Sequence, residues 1–335
     1  MTSMLVLGGT SWLGGQIVHD AVRRGHDVTC LARGESGRAP ASATFVRGDR
    51  SLPGAYADVI DRRWDMVVDL SREPGHVRSA VETLGGVASH WTFVSTGSVY
   101  ADQGVPLTER SPLLDAFAGD EAPPEQYGEA KVACEQAVVR LRHHLIVRAG
   151  LIGGPGDRSD RLGYYASRFA LAGAGDVLVP DVDDLHGLVD DQPMQVVDVR
   201  DLAAWIVRAA EHRATGVVHG VGEPTTVGAI VEASAAVAGS TGRRVPASPD
   251  WLHAHDVEEW MGPRSLPLWL PPSHHGMGMM DDTHALQLGL RRRPLAETLA
   301  DTLADERERG LDRPRRAGLS REDELALLAT VDDPR

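Results

Sequence analysis

Cysteine is nearly absent. The 335 residues hold two, Cys30 and Cys134, which make neither a metal-ligand spacing nor a disulfide framework, so a reducing cytoplasm is the compartment expected. No apolar run approaches the roughly 20 residues of a membrane-spanning helix. No basic segment followed by an apolar stretch opens the sequence, and Met4–Leu7 is too short to be one, so neither a span nor a secretory leader is expected. Positive charge is in deficit: 34 Lys and Arg against 48 Asp and Glu give a net charge of −14, which argues against non-specific binding to nucleic acid or anionic membranes. No repeat at a fixed period is visible. The motif His-Glu-x-x-His is missing. The adjacent pairs His143-His144 and His274-His275 would point to opposite faces of a strand, a poor chelating geometry, so no metal is expected. Asp176, Asp181, Asp183, Asp184, Asp190 and Asp191 do not follow calcium-loop spacing and read as a solvated acidic loop. What remains is an ordinary composition, 42% hydrophobic and 24% charged, with length for one large domain or two modest ones.

The chain is organised around its first dozen residues. Met4 to Leu7 is an apolar run that reads as a buried strand, Gly8 and Gly9 break it, and an amphipathic helix runs from Trp12 to Arg24. Strand, glycine turn and helix open a dinucleotide-binding unit, because glycines let the backbone turn tightly and let a pyrophosphate approach the free N–H groups of the helix start. Further strands are expected at 27–32, 44–47, 66–70, 91–95, 145–149 and 217–221, alternating with helices at 56–63, 77–84, 125–142 and 202–212. That alternation predicts an α/β fold, a doubly wound parallel sheet of about seven strands. The expected division is residues 1–152 plus about 195–222 for the dinucleotide-binding domain, and about 153–194 with 223–335 for a smaller substrate lobe and C-terminal helices. Within the lobe, 176–193 reads as loop, with helices at 160–172, 227–237, 294–307 and 321–329 and a frayed tail at 332–335.

The chemistry-bearing stretch is Tyr127-Gly-Glu-Ala-Lys131. Positions i and i+4 share a helix face, so the phenol and the ammonium project side by side. An unperturbed phenol is a poor acid-base catalyst at neutral pH, and a nearby cation makes it a better one. Such a tyrosine takes a proton from an alcohol as hydride leaves, or returns one to a carbonyl. The pair opens the helix after the fifth strand, which ends Ser95-Thr-Gly-Ser-Val-Tyr100, at the sheet edge where parallel folds place their sites.

Strand–Gly-Gly-Thr–helix, then Val94-Ser-Thr-Gly-Ser-Val-Tyr100, then Tyr127-x-x-x-Lys131 resembles the extended short-chain dehydrogenase/reductase family, which includes nucleotide-sugar epimerases and dehydratases. The likeness covers roughly residues 4–222, and the Gly-Gly-Thr-x-x-x-Gly form is similar to an atypical branch with reductase-like and RNA-binding members. The resemblance implies a Rossmann-type sheet. It implies Thr96 as the catalytic hydroxyl, four residues before Tyr100, with Ser98 as a weaker substitute. It implies Tyr127 as acid-base and Lys131 as its modulator and a ribose binder. Gly8, Thr10, Ser11, Trp12, Leu13, Gly14, Arg33, Asp49 and Lys131 are then the expected cofactor contacts. Two departures stand out. Ser11 occupies the position of the usual middle glycine, where it crowds the turn but could bond a phosphate. Ala32 replaces the acid that holds the ribose in NAD-preferring members, and Arg33 follows it, which favours NADP, with NAD the alternative.

The expected function is hydride transfer at a hydroxyl or carbonyl carbon of a small-molecule substrate, with a sugar or nucleotide-sugar the expected class. Thr96-Gly97-Ser98 lacks the carboxylates of the family's dehydratases, and nothing separates epimerase from reductase. Arg158, Arg161 and Arg168 either hold a nucleotide diphosphate or form a solvated face. The competing expectation is a catalytically silent NADP-binding regulatory or RNA-binding member, against which the intact Thr96, Tyr127 and Lys131 argue. Proteins of this type often pair into homodimers through helices.

Overall fold

The computed structural model describes residues 2–181 and 191–331. The first half alternates strand and helix: β1 Ser3–Leu7, α1 Trp12–Arg23, β2 Asp27–Ala32, β3 Thr44–Arg47, α2 Ala57–Ile60, β4 Met66–Asp69, α3 Pro74–Leu84, β5 Trp91–Thr96, α4 Tyr127–Val138 and β6 His144–Ala149. Then come β7 Leu151–Gly153, α5 Gly163–Ala172, β8 Val177–Pro180, β9 Pro193–Asp198, α6 Val199–Glu211, β10 Gly216–Gly220, β11 Glu223–Thr226, α7 Val227–Ala238, β12 Arg244–Ala247, α8 Pro249–Ala254, α9 Thr283–Gln287, α10 Leu295–Arg309 and α11 Arg321–Val331.

Seven of these strands form one parallel sheet in the order β3-β2-β1-β4-β5-β6-β10. The run Met4–Leu7 is apolar without alternation because both its faces are covered. Met4 and Val6 pack with Ile17, Val18 and Trp205 of α1 and α6. Leu5 and Leu7 pack on the other face with Val77, Ala80 and Ala137 of α3 and α4. The chain order reverses between β1 and β4, so a crevice opens at the carboxyl ends of those strands.

A second core gathers Tyr164, Tyr165 and Phe169 of α5 with Ile230, Leu299 and Trp269. Two small sheets frame it, β11-β9-β7 and β12-β8. Here the expectations from sequence need correction. The stretch 176–193 is not all loop, since Val177–Pro180 is the strand β8, paired in parallel with β12. Asp176 pairs with Arg243 at 2.6 Å and Asp191 accepts from the Gly228 amide, while Asp183, Asp184 and Asp190 lie outside the described residues, as does the tail 332–335. The strands β11 (Glu-Pro-Thr-Thr) and β12 (Arg-Val-Pro-Ala) carry prolines, which a strand tolerates at a sheet edge, and both occupy edges. The helix expected over 56–63 is the single turn α2, and that expected over 125–142 is shorter, a 3-10 turn at Pro124–Gln126 leading into α4.

Cys30 and Cys134 are buried and free, and burial pushes their thiols up to about 11 and about 12, so neither is a nucleophile at neutral pH. Among the described residues no helix is long and apolar enough to cross a membrane.

Candidate active site

The glycine turn is built by two residues with different needs. Gly8 sits at φ +94°, in the left-handed region. Gly14 is required for space, because a Cβ there would lie 2.3 Å from the Gly8 carbonyl oxygen. Ser11 is the N-cap of α1. Its hydroxyl accepts from the Gly14 amide at 3.2 Å and donates to the Gly8 carbonyl at 2.8 Å. The serine therefore closes the turn from within, and its hydroxyl is spent there rather than offered to a phosphate. Among the described residues the amides of Trp12 and Leu13 have no hydrogen-bond acceptor, which leaves two donors at a helix start. The Trp12 indole N–H donates to the Pro155 carbonyl at 2.9 Å and ties this turn to the second lobe.

Two cavities meet at Ser11 and Leu70 to make one cleft along the sheet's carboxyl edge. The first, about 400 Å³, is lined by Gly8, Thr10, Ser11, Ala32, Arg33 and Asp49. Its floor is a buried ion pair at the end of β4: Arg50 makes two parallel 2.8 Å bonds to Asp69 and donates to the His76 carbonyl at 2.7 Å. Burial alone would depress the Arg50 guanidinium, but Asp69 outweighs it and holds the cation above its ordinary value. Arg33 is more than half exposed and pairs with Glu35 at 3.3 Å. Asp49 accepts from the Ser51 hydroxyl and amide, bonds that hold its carboxyl below the ordinary value, with Arg33 adding a smaller pull.

The second cavity, about 590 Å³, brings together Thr96, Ser98, Tyr127 and Lys131 with Trp12, Leu13, Asp157, Arg161, Trp260 and Met277. Lys131 is buried. Its ammonium donates to the Ser71 carbonyl at 2.8 Å and the Val94 carbonyl at 2.6 Å and lies 4.3 Å from the centre of the Phe93 ring. Two of its three hydrogens are thus spent on backbone, and one is left for the cavity. Thr96 caps the 3-10 turn Gly97–Val99: its hydroxyl accepts from the Ser98 amide and donates to the Ser98 hydroxyl, both at 3.2 Å. Ser95 is withdrawn from the cavity by a 2.6 Å bond to Glu135. The Tyr127 hydroxyl makes no hydrogen bond among the described residues.

Below the cavity, Glu135 lies one turn beyond Lys131 and forms a buried bidentate pair with Arg148 of β6, at 2.7 and 3.0 Å. Arg148 also donates to the Tyr100 hydroxyl at 2.9 Å and to the Glu109 carbonyl at 3.0 Å. The Tyr100 hydroxyl in turn bonds His219, whose other ring nitrogen faces the Asp281 carbonyl at 2.8 Å. Burial lowers the proton affinity of His219, and a neutral His219 is compatible with a chain in which Arg148 donates to Tyr100, Tyr100 to His219 and His219 to the Asp281 carbonyl.

The three arginines read from sequence as a unit separate. Arg158 is exposed, Arg168 is buried against Glu324 at 3.2 Å, and Arg161 lines the second cavity. Several cleft residues escaped the sequence reading. Leu70 and Ser71 follow β4, the strand beside β1, so the sheet order alone places them at the crevice. Trp260 comes from an irregular segment with no periodic signal, and only the fold brings it here.

Residues 4–90 match the family model of the NAD dependent epimerase/dehydratase family. No curated protein matches the chain. Among solved structures, the Bordetella bronchiseptica enzyme WbmH in complex with NAD+ is 19% identical over 92% of this chain and 99% of its own, with a TM-score of 0.66. The UDP-glucose 4-epimerase of Thermotoga maritima, solved with UDP-glucose, is 18% identical over 92% and 99%, with a TM-score of 0.64. The UDP-glucuronic acid 4-epimerase of Bacillus cereus, in complex with NAD, is 15% identical over 91% and 99%, with a TM-score of 0.65. At these identities the likeness establishes the fold, an α/β Rossmann-like sheet with its second lobe.

Proposed function

We propose that this chain is an NAD(P)-dependent enzyme of the extended short-chain dehydrogenase/reductase type, acting at a hydroxyl or carbonyl carbon of a sugar or nucleotide-sugar. The observation that carries the reading is the convergence of Thr96, Tyr127 and Lys131 on a cavity continuous with the cleft over the glycine turn. The residues present fit a dinucleotide: open amides at Trp12 and Leu13 for a pyrophosphate, on a turn closed so tightly that a Cβ at Gly14 would strike the Gly8 carbonyl. A bound nicotinamide supplies or accepts the hydride. Tyr127 takes the hydroxyl proton as the carbonyl forms, or returns it when the carbonyl is reduced, so that proton and hydride balance. Lys131, pinned by two carbonyls, holds its ammonium at a fixed place in the cavity that Tyr127 lines, with one hydrogen left for a ribose hydroxyl. Thr96 and Ser98 offer a linked pair of hydroxyls to the substrate oxygen. The printed ligands of the structural neighbours, NAD and UDP-glucose, support the cofactor and substrate classes.

The test is to mix cofactor-loaded protein with a panel of UDP-hexoses and follow both reduced nicotinamide and product. An epimerase returns the epimer with no net change in cofactor, whereas a reductase consumes one reduced cofactor per product. Cofactor binding without turnover across the panel would contradict the enzymatic reading.

The adenosine end favours NADP. No acid stands at Ala32 to repel a 2′-phosphate, and Arg33 lines that end of the cleft. Glu35 competes for the same guanidinium. We expect NADPH to bind more tightly than NADH. Arg33→Ala should erase the difference, and Glu35→Gln should widen it by about two- to fivefold, the scale of an exposed charge pair. Dissociation constants from nicotinamide fluorescence check this, and tighter NADH binding by the unmodified protein contradicts it.

A further inference from the structure

Arg161 precedes α5 and faces the same cavity as Tyr127. Its Nε–H donates to the Ser159 hydroxyl at 3.2 Å, and its guanidinium lies 4.5 Å from the centre of the Trp260 ring. Among the described residues no carboxylate ion-pairs with it, and neither terminal nitrogen donates a hydrogen bond. Asp157 is the acid that shares the cavity, but its two oxygens are taken by the Ser159 amide at 2.7 Å and hydroxyl at 2.8 Å. Burial holds the guanidinium below its ordinary value, opposed by Asp157 and then by Tyr127. The other cation lining this cavity, Lys131, is bound to two carbonyls. Trp260 stacks on Arg161 from a backbone at φ 65°, costly for a bulky aromatic, so the fold rather than local preference holds the indole there. Beyond Trp260 the adjoining cavity is lined by Glu125, Glu129 and Glu259, which would repel an anion.

We infer that Arg161 holds a carboxylate carried by the reacting unit of the substrate, beside Tyr127. A guanidinium with both terminal nitrogens open presents a planar fork that matches a carboxylate in two parallel bonds. Stacking on Trp260 sets the plane of that fork before the ligand arrives, which reduces the ordering cost of binding. The inference rests on the reading of Tyr127 and its cavity given above, and narrows the substrate to acids.

The experiment compares UDP-glucuronate with UDP-glucose, which differ by a carboxylate, in equilibrium binding to NADP-loaded protein. We expect the unmodified protein to prefer UDP-glucuronate by at least about tenfold, as for a charge-assisted bidentate pair. Arg161→Gln should bring the two ligands to parity and Arg161→Lys should restore part of the preference, while both variants keep the cofactor affinity, which shows that they are folded. Equal affinity in the unmodified protein, or a preference that survives Arg161→Gln, overturns the inference. So does an equal loss of both ligands in Arg161→Gln, which would assign Arg161 to the diphosphate. If neither ligand binds, the nucleotide-sugar class is wrong, and malonate then tests the carboxylate site alone. A saturable change in the tryptophan emission assigned to Trp260, by difference with Trp260→Phe, that disappears in Arg161→Gln supports it. No saturable response in the unmodified protein overturns it.

Discussion

Tyr127→Phe is expected to lower turnover by about 10²–10⁴-fold, the range for removing a general acid-base group, with cofactor affinity within about twofold of the unmodified protein. The substitution removes one oxygen and keeps the ring. Because the Tyr127 hydroxyl makes no hydrogen bond among the described residues, the fold loses little. Lys131 does not depend on the phenol for its place, since the Ser71 and Val94 carbonyls and the Phe93 ring hold it. The effect should therefore fall on kcat rather than on binding, read by product formation beside a fluorescence titration of the cofactor. Full turnover in the variant would refute the role assigned to Tyr127.

Arg148→Met is expected to destabilise the protein by about 3–5 kcal/mol, as when one partner of a buried ion pair is removed. Both side chains are about 95% buried, at 4% and 5% exposure, and Glu135 would be left with a charge answered by the Ser95 hydroxyl alone. The Tyr100 hydroxyl and the Glu109 carbonyl would each lose a donor as well. Since Glu135 is one turn beyond Lys131 on α4, the pair also sets how that helix meets β5 and β6, so activity should fall with stability. Replacing Glu135 by Leu in the same chain removes the orphaned charge and should recover much of the loss. Urea unfolding of the single and double variants measures this. A double variant no more stable than Arg148→Met would show that the pair is not the source of the effect.

Much of the sheet was legible because its strands are covered on both faces. Met4–Leu7, Asp27–Ala32 and Met66–Asp69 are short apolar runs stopped by glycine, loop or acid, and burial in a doubly wound sheet demands that composition. The second lobe was harder to read. Pro224 and Pro246 disguise the edge strands β11 and β12, and the arginines of 158–168 differ in fate through contacts far along the chain, Arg168 with Glu324 and Arg161 with Trp260. Tyr127 and Lys131 could be singled out because their spacing carries chemistry, and Thr96 because of the family resemblance of the strand-five motif. Arg161 could be named only together with Arg158 and Arg168, because what separates the three is the partners each meets in the fold. Ser11 shows the same limit at the glycine turn. A serine in place of glycine reads as crowding, and the structure turns it into a cap that bonds both ends of the turn.

The central claim is that one cleft, from Arg33 through Ser11 to Tyr127, holds a nicotinamide dinucleotide. The most direct test is a titration with NADPH, read by nicotinamide fluorescence and by quenching of tryptophan emission, on the unmodified protein and on Gly14→Val, whose Cβ would press on the Gly8 carbonyl at 2.3 Å. Saturable binding at one molecule per chain, weakened at least about tenfold by Gly14→Val, is the predicted result where the closed glycine turn sets the open amides of the helix start toward a pyrophosphate. Absence of saturable binding, or binding indifferent to that substitution, would contradict the account.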